Sequence, residues 1–321
     1  MRMKVMKSSF RDLFKDYAEP DNVRLLKEEL PLEVYYGRDY RGHLCLAIAA
    51  PFSAQMPRPT RLLDFYQTKT NREYWSYICL TDEEVKSAFY AFCEDVVSAI
   101  VPLTDQKEAF QRILERIRIW KKMFSSKSGL LGENSIQGLF GELYFIDEYL
   151  IPKYGKQKAI RAWGGPLGMP KDFSIGLEWF EVKCVSATEN VVSISSHEQL
   201  LSDNPGHLTI VKVEKMPEAF NNGISTINAL FDKIRLVLED TPDLLDEFIE
   251  KINRIGYVPD DAYNRYKYKA IGMNLYKVDD AFPRLTSPSA FGNAISAISY
   301  KLLINAIAPF LEDDELWKKT F

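Results

Sequence analysis

The spacing of apolar and polar positions changes several times along the chain, and the order of those changes predicts its elements. From Leu32, the segments Glu33-Val34-Tyr35-Tyr36-Gly37 and His43 to Ala50 suit two antiparallel strands turning at Arg38 to Gly42. Arg61 to Thr68 and Arg72 to Leu80 form a second pair, joined at Lys69-Thr70-Asn71. Thr81-Asp82-Glu83-Glu84 then caps a helix running to about Ile100. Residues 1–105 are therefore expected to form a β-rich domain closed by a helix, with no catalytic constellation. Past Pro102, Asp105 to Phe124 carries Phe110, Ile113, Leu114, Ile117, Trp120 and Phe124 at helical spacing, and a second domain is expected over residues 106–321.

Asn134 to Leu150 is the next predicted helix. Ile136, Phe140, Leu143 and Ile146 make its core stripe, with Gly138, Gly141 and Glu142 on a neighbouring face. Two glycines inside a helix cost roughly 1 kcal/mol each against alanine. That cost is reasonable if the helix must press close to a strand or let something approach Glu142. The loop Trp163 to Pro170 breaks regular structure and delivers the chain to a strand at Asp172. A turn near Gly176-Leu177 leads into the strand Trp179 to Val185. Alternate residues of a strand share a face, so Glu181 and Lys183 project together while Phe180, Val182 and Cys184 face the opposite layer. Val191 to Ser195 reads as a strand, Ser195-Ser196-His197-Glu198 as a capping box for a short helix through Leu201, and His207 to Lys215 as another strand. Helices at about 224–239 and 242–255, a strand near 266–278 and a last strand or helix within 293–308 complete the chain.

With 321 residues, 46% hydrophobic, the protein can bury a sizeable core, and disorder is excluded. No apolar run approaches the roughly 20 residues of a membrane span, and Met1-Arg2-Met3-Lys4 leads into a polar segment unlike a secretory leader. Cys45, Cys79, Cys93 and Cys184 lie far apart in apolar settings, which reads as reduced thiols of a cytoplasmic protein and argues against zinc. A net charge of −4 excludes a uniformly basic coat but leaves room for a local stripe, the clearest being Arg112, Arg116, Arg118, Lys121, Lys122 and Lys127. Such a stripe is equally the solvated face of an amphipathic helix.

The chemistry concentrates in Lys171 to Cys184. Magnesium takes about six oxygens and keeps several waters. Asp172, Glu181 and the Val182 carbonyl, with a phosphate oxygen, would make a suitable shell for Mg2+ or Mn2+. Lys183 would stabilise a pentacovalent phosphate or help deprotonate a water, and Glu142 would hold a water or a second ion. Taken singly, each acid has a plainer role: an E-x-K pair suits any solvated sheet face, Asp172 a turn, and Glu142 a helix surface. The candidate nucleic-acid contacts are Gln137, Ser195, Ser196, His197, Gln199, Lys121 and Lys122, although capping alone explains the serines.

In order, Gln137-Gly138-Leu139-Phe140-Gly141-Glu142-Leu143, Trp163-Gly164-Gly165-Pro166, Lys171-Asp172-Phe173 and Phe180-Glu181-Val182-Lys183 resemble the PD-(D/E)XK nuclease superfamily, and more narrowly a bacterial family assigned to it. The motif-bearing region spans about Asn134 to Lys215. Proline stands at Pro170, one place earlier than the motif's pattern. The resemblance implies an α/β (α+β), restriction-endonuclease-like core with a mixed central sheet flanked by helices. In that core Asp172 is the motif's aspartate, Glu181 its second acid, Lys183 its lysine and Glu142 the acid on the preceding helix. It further implies a metal-dependent DNA endonuclease in restriction or anti-phage defence, encoded near a Z1-type ATPase and a DNA methyltransferase. Other readings stay open: a DNA-binding or scaffold subunit without cleavage, or a nuclease for RNA or branched DNA. Double-strand cleavage would favour a homodimer, whereas nicking needs one copy.

Overall fold

The computed structural model describes residues 9–15, 19–26, 29–70, 72–125, 130–220, 223–285 and 298–312. The opening residues considered for a leader, Met1 to Ser8, and Lys127 of the basic stripe lie outside the described residues. In chain order the elements are α1 (Phe10–Lys15), β1 (Asn22–Leu25), β2 (Glu33–Arg38), β3 (Leu44–Ala50), β4 (Leu63–Lys69), β5 (Tyr74–Leu80), α2 (Lys86–Ile100) and α3 (Gln106–Ser125). There follow α4 (Glu133–Phe145), a π-helical turn at Ile146–Leu150, α5 (Ile151–Tyr154), α6 (Lys156–Ala162), β6 (Phe173–Ile175), β7 (Glu178–Ser186), β8 (Val191–Ile194) and β9 (Gly206–Met216). Last come α7 (Ile227–Leu238), α8 (Pro242–Ile255), β10 (Lys267–Val278) and β11 (Tyr300–Leu303), the latter running into a 3-10 helix at Ile304–Phe310. The expected strand or helix near the end is thus one of each.

Two compact units emerge, residues 1–129 with 239–261 and residues 130–238 with 262–321. The helix expected to open the second domain at residue 106 lies in the first unit, because α3 packs on α2 and α8 there. The first unit holds an antiparallel sheet in the order β1-β2-β3-β5-β4, with every residue of the central β3 buried. Phe10 and Phe14 of α1 meet Tyr36 of β2 edge-on, and Phe14 also packs against Phe89 and stacks on Tyr90 of α2. Under α3 lies a buried polar knot. Asp95 Oδ2 accepts from Arg116 Nε and from Trp120 Nε1, both at 2.7 Å, and Arg116 also pairs with Asp246. Arg116, placed on the exposed stripe by its spacing, is only 1% exposed. Arg116→Ala is expected to lower the unfolding free energy by about 3–5 kcal/mol, since it strands a buried carboxylate. The paired Asp95→Leu/Arg116→Met replacement should cost less in the same urea titration.

The second unit is an α/β fold built on a mixed sheet in the order β10-β9-β7-β6. β7 runs parallel to β9, with Glu181 opposite Leu208 and Lys183 opposite Ile210, while the other two pairings are antiparallel. One face meets α4 and the aromatic rings of Phe145 and Tyr149, which surround Phe180. On the opposite face the β8–β11 pair covers a core of Trp179, Leu208, Ile210, Ile194, Leu302 and Ile307. The glycine cost in α4 has a physical reason at one of its two positions. A Cβ on Gly141 would lie 2.6 Å from Cys184 Cβ, whereas Gly138 has open space. Gly141→Ala is expected to destabilise by about 1–3 kcal/mol through overpacking. Adding Cys184→Gly should recover part of that loss in a double-mutant cycle of thermal unfolding.

Candidate active site

Three elements bring the acids together. Asp172 immediately precedes β6, and its main-chain carbonyl accepts from the N–H of Gly164 at 2.8 Å and of Gly165 at 3.2 Å. Its Oδ2 accepts from the Val182 N–H of the neighbouring strand at 2.8 Å, which fixes the carboxylate beside Glu181. Glu181 is fully buried: Oε1 accepts from Lys183 Nζ at 2.7 Å, and Oε2 has no hydrogen-bond partner. Glu142 projects from α4, where Trp163 Nε1 donates to its Oε2 at 2.6 Å. A Cβ on Gly165 would stand 3.3 Å from both Asp172 Oδ1 and Glu142 Oε2, so the two carboxylates converge on a bare stretch of backbone. Any side chain there would intrude between them.

Burial and the charge of Asp172 push Glu142 up to about 8, against the opposing hydrogen bond from Trp163. The same two causes push Glu181 up to about 7, against Lys183. Asp172 is raised by burial and held back by the Val182 N–H and by Lys183. Carboxylates so crowded keep protons that an exposed acid would lose.

Lysine and amide groups complete the pocket. Lys183 Nζ also donates to Gln199 Oε1 at 3.3 Å, and the same oxygen accepts from the Ser195 N–H at 2.8 Å. Lys171 Nζ lies 4.0 Å from the centre of the Trp179 ring and donates to the carbonyls of Glu198, Gln199 and Leu201. Burial depresses its pKa to about 8. Arg284 Nη1 donates to the carbonyls of Leu200 and Ser202, so two cations clamp the loop that carries Gln199.

Of the candidate nucleic-acid contacts, Gln199 alone reaches the acids' lysine. Ser196 Oγ caps the Glu198 N–H of a 3-10 turn at His197–Gln199, shorter than the expected helix, and His197 opens that turn half-buried. Gln137 Nε2 donates to the Cys184 carbonyl at 3.0 Å. In the first unit, Lys121 Nζ donates to the Arg58 carbonyl, and Lys122 lies 3.9 Å from Glu250. Lys171 and Arg284 did not emerge as site residues from the sequence, and Trp163 did so only as part of a loop that could lie beside the scissile strand, with packing an equal reading. The signals for Trp163 and Lys171 were their places in the Trp163-Gly164-Gly165-Pro166 and Lys171-Asp172-Phe173 segments of the resemblance.

The candidate ligands Asp172, Glu181 and the Val182 carbonyl all offer oxygens, the set a hard divalent cation takes. Among the described residues no group of three or more His, Cys, Asp or Glu could hold an ion. Asp172 and Glu181 would therefore serve as a pair, with the main-chain carbonyl of Val182 as the third protein oxygen. The unpartnered Glu181 Oε2 fits that role, because a buried carboxylate oxygen without a donor is costly unless a cation meets it.

A mixed α/β sheet whose adjoining strands bring an aspartate beside a Glu-x-Lys pair defines the PD-(D/E)XK class. Residues 6–305 match the family described as "Putative PD-(D/E)XK family member, (DUF4420)", and the chain belongs to that family. No curated protein and no solved structure matches the chain. Membership points to a nuclease-like function. Among the described residues no helix is long and apolar enough to cross a membrane.

Proposed function

We propose that the protein is a DNA endonuclease dependent on Mg2+ or Mn2+, acting in restriction or anti-phage defence. The observation that carries this reading is the convergence of Glu142, Asp172, Glu181 and Lys183, with one Glu181 oxygen buried and unpaired. When bound, the ion supplies a water acidic enough to lose a proton near neutral pH and offsets charge on the phosphate. Asp172 and Glu181 would hold it, with the Val182 carbonyl. Lys183, steadied by Gln199, places a positive charge where the pentacovalent phosphate becomes more negative than the starting diester. Burial and the charge of Asp172 raise the Glu142 carboxyl in the metal-free protein, Trp163 fixes its orientation, and from there it would hold a water beside the ion. Two copies, each cutting one strand, would give a double-strand break.

The test incubates the purified chain with Mg2+ or Mn2+ and supercoiled, linear, single-stranded and branched DNA, and with RNA. The expected result is cleavage of DNA that EDTA stops. Intact DNA under every condition, alone and with a Z1-type ATPase and a DNA methyltransferase of the kind the resemblance implies, would sink the proposal. Retained binding without any cut would instead identify a DNA-binding subunit, and cleavage confined to RNA would reassign the substrate.

A further inference from the structure

The basic stripe anticipated on α3 is dismantled by folding. Arg116 enters the core, Lys121 binds the Arg58 carbonyl, and Arg112 and Lys122 lie near Glu115 and Glu250. Arg118 is left over, and it does not stand alone. It lines an open hollow of about 550 Å³ in the first unit, between α3 and the extended segment 52–58, together with Arg58 and Lys107. All three cations are exposed, none makes an ion pair among the described residues, and no carboxylate lines the hollow. Its apolar side is made by Phe52, Met56 and Leu114.

The hollow is preformed. Phe52 packs edge-on against Phe110 at 5.7 Å, Ser53 Oγ donates to Gln67 at 2.8 Å, and Lys121 Nζ holds the Arg58 carbonyl at 2.6 Å. Segment 52–58 is thus pinned at both ends to the elements beside it. Lys107, Gln111, Leu114 and Arg118 follow one another at helical spacing along the same side of α3, so cations and apolar surface alternate along one rim.

We propose that this hollow binds a nucleotide, its phosphate against Arg58, Lys107 and Arg118 and its base against Phe52 and Leu114. Three cations that make no ion pair among the described residues, around a hollow that no carboxylate lines, favour an anion there, and two of them are guanidinium groups, whose planar donor fork suits phosphate. A simple inorganic anion would leave the apolar side unused, whereas a base covers it by stacking and contact. The volume lies within the range of small-ligand sites. The nucleotide can be free or one residue of a nucleic-acid strand. Neither case depends on the cleavage chemistry of the second unit.

The test uses the full chain carrying Asp172→Asn, so that no probe is cut, and measures binding of deoxyadenosine monophosphate, inorganic phosphate and a fluorescent twelve-residue single-stranded oligodeoxynucleotide. Arg58→Ala/Arg118→Ala is expected to weaken binding of the mononucleotide or the oligonucleotide at least about tenfold, with thermal unfolding unchanged, because both side chains are exposed. If the oligonucleotide is the ligand, the salt dependence of its binding should also fall by about one to two ions. Leu114→Ala should weaken either nucleotide probe and leave any binding of inorganic phosphate unchanged. Saturable binding of the mononucleotide identifies a free nucleotide, and binding of the oligonucleotide alone identifies a strand; both support the site. Equal affinity of parent and double variant for both nucleotide probes overturns it, as does inorganic phosphate competing as well as the mononucleotide. An uncut substrate with this binding intact would count against the endonuclease reading alone.

Discussion

Lys183→Ala and Asp172→Asn should each reduce phosphodiester cleavage by about 10²–10³-fold while leaving the protein folded. Losing a preorganised donor aimed at the transition state typically costs about 10²–10³ in rate. Lys183 is the only cation hydrogen-bonded to the buried Glu181 among the described residues, and Asp172 is tied through Val182 to the same strand. Lys183→Arg restores the charge but presents it as a fork, so it should recover only part of the rate. Single-turnover cleavage of a labelled duplex reads the effect in kcat, with circular dichroism as the check on folding. If either Ala or Asn variant cut as fast as the parent, this pocket would not be the site of chemistry.

The same carboxylates should make the metal-free protein lose stability as pH rises. Glu181 is pushed up to about 7 and Glu142 up to about 8, chiefly by burial and then by Asp172. In the unfolded chain both return to about 4.3. The folded protein therefore keeps protons that the unfolded chain has released. The stability these groups contribute is complete below about pH 4.3 and is lost as pH climbs through 7 and 8. Glutamine at both positions removes the charge and retains an oxygen for the Trp163 and Lys183 donors. At pH 8 in EDTA, Glu142→Gln/Glu181→Gln should therefore be more stable than the parent by on the order of 1–3 kcal/mol, and at pH 5 the two should nearly coincide. The same variant should lose cleavage, the trade expected where a site is built from mutually repelling groups. Adding Mg2+ should stabilise the parent and narrow the gap. Identical pH slopes for parent and double variant in thermal unfolding would show that the acids are not crowded in solution.

Much of this arrangement was legible beforehand. Period-two spacing put Glu181 and Lys183 on one strand face and Phe180 and Cys184 on the other, and the fold packs Cys184 against α4 and Phe180 against Phe145. The glycine anomaly in α4 also pointed toward close approach, which Gly141 makes and Gly138 does not. Trp163 was harder to read. Its flanking glycines mark a loop, but nothing local tells that its N–H will meet an acid 21 residues earlier. Arg116 misled for a related reason: its spacing matches an exposed stripe, and only Asp95, on another helix, makes its burial tolerable.

By itself the sequence determined the order of strands and helices and the shared face of Glu181 and Lys183, because backbone periodicity acts over a few residues and needs no partner. Tertiary structure decided what is long-range. It set Asp172 against the Val182 N–H, turned Glu142 and Trp163 toward each other, clamped the Gln199 loop with Lys171 and Arg284, and sorted the α3 cations into core, surface and hollow. Those choices rest on desolvation and hydrogen-bond satisfaction between segments distant in the chain, and these take effect only once the layers have packed.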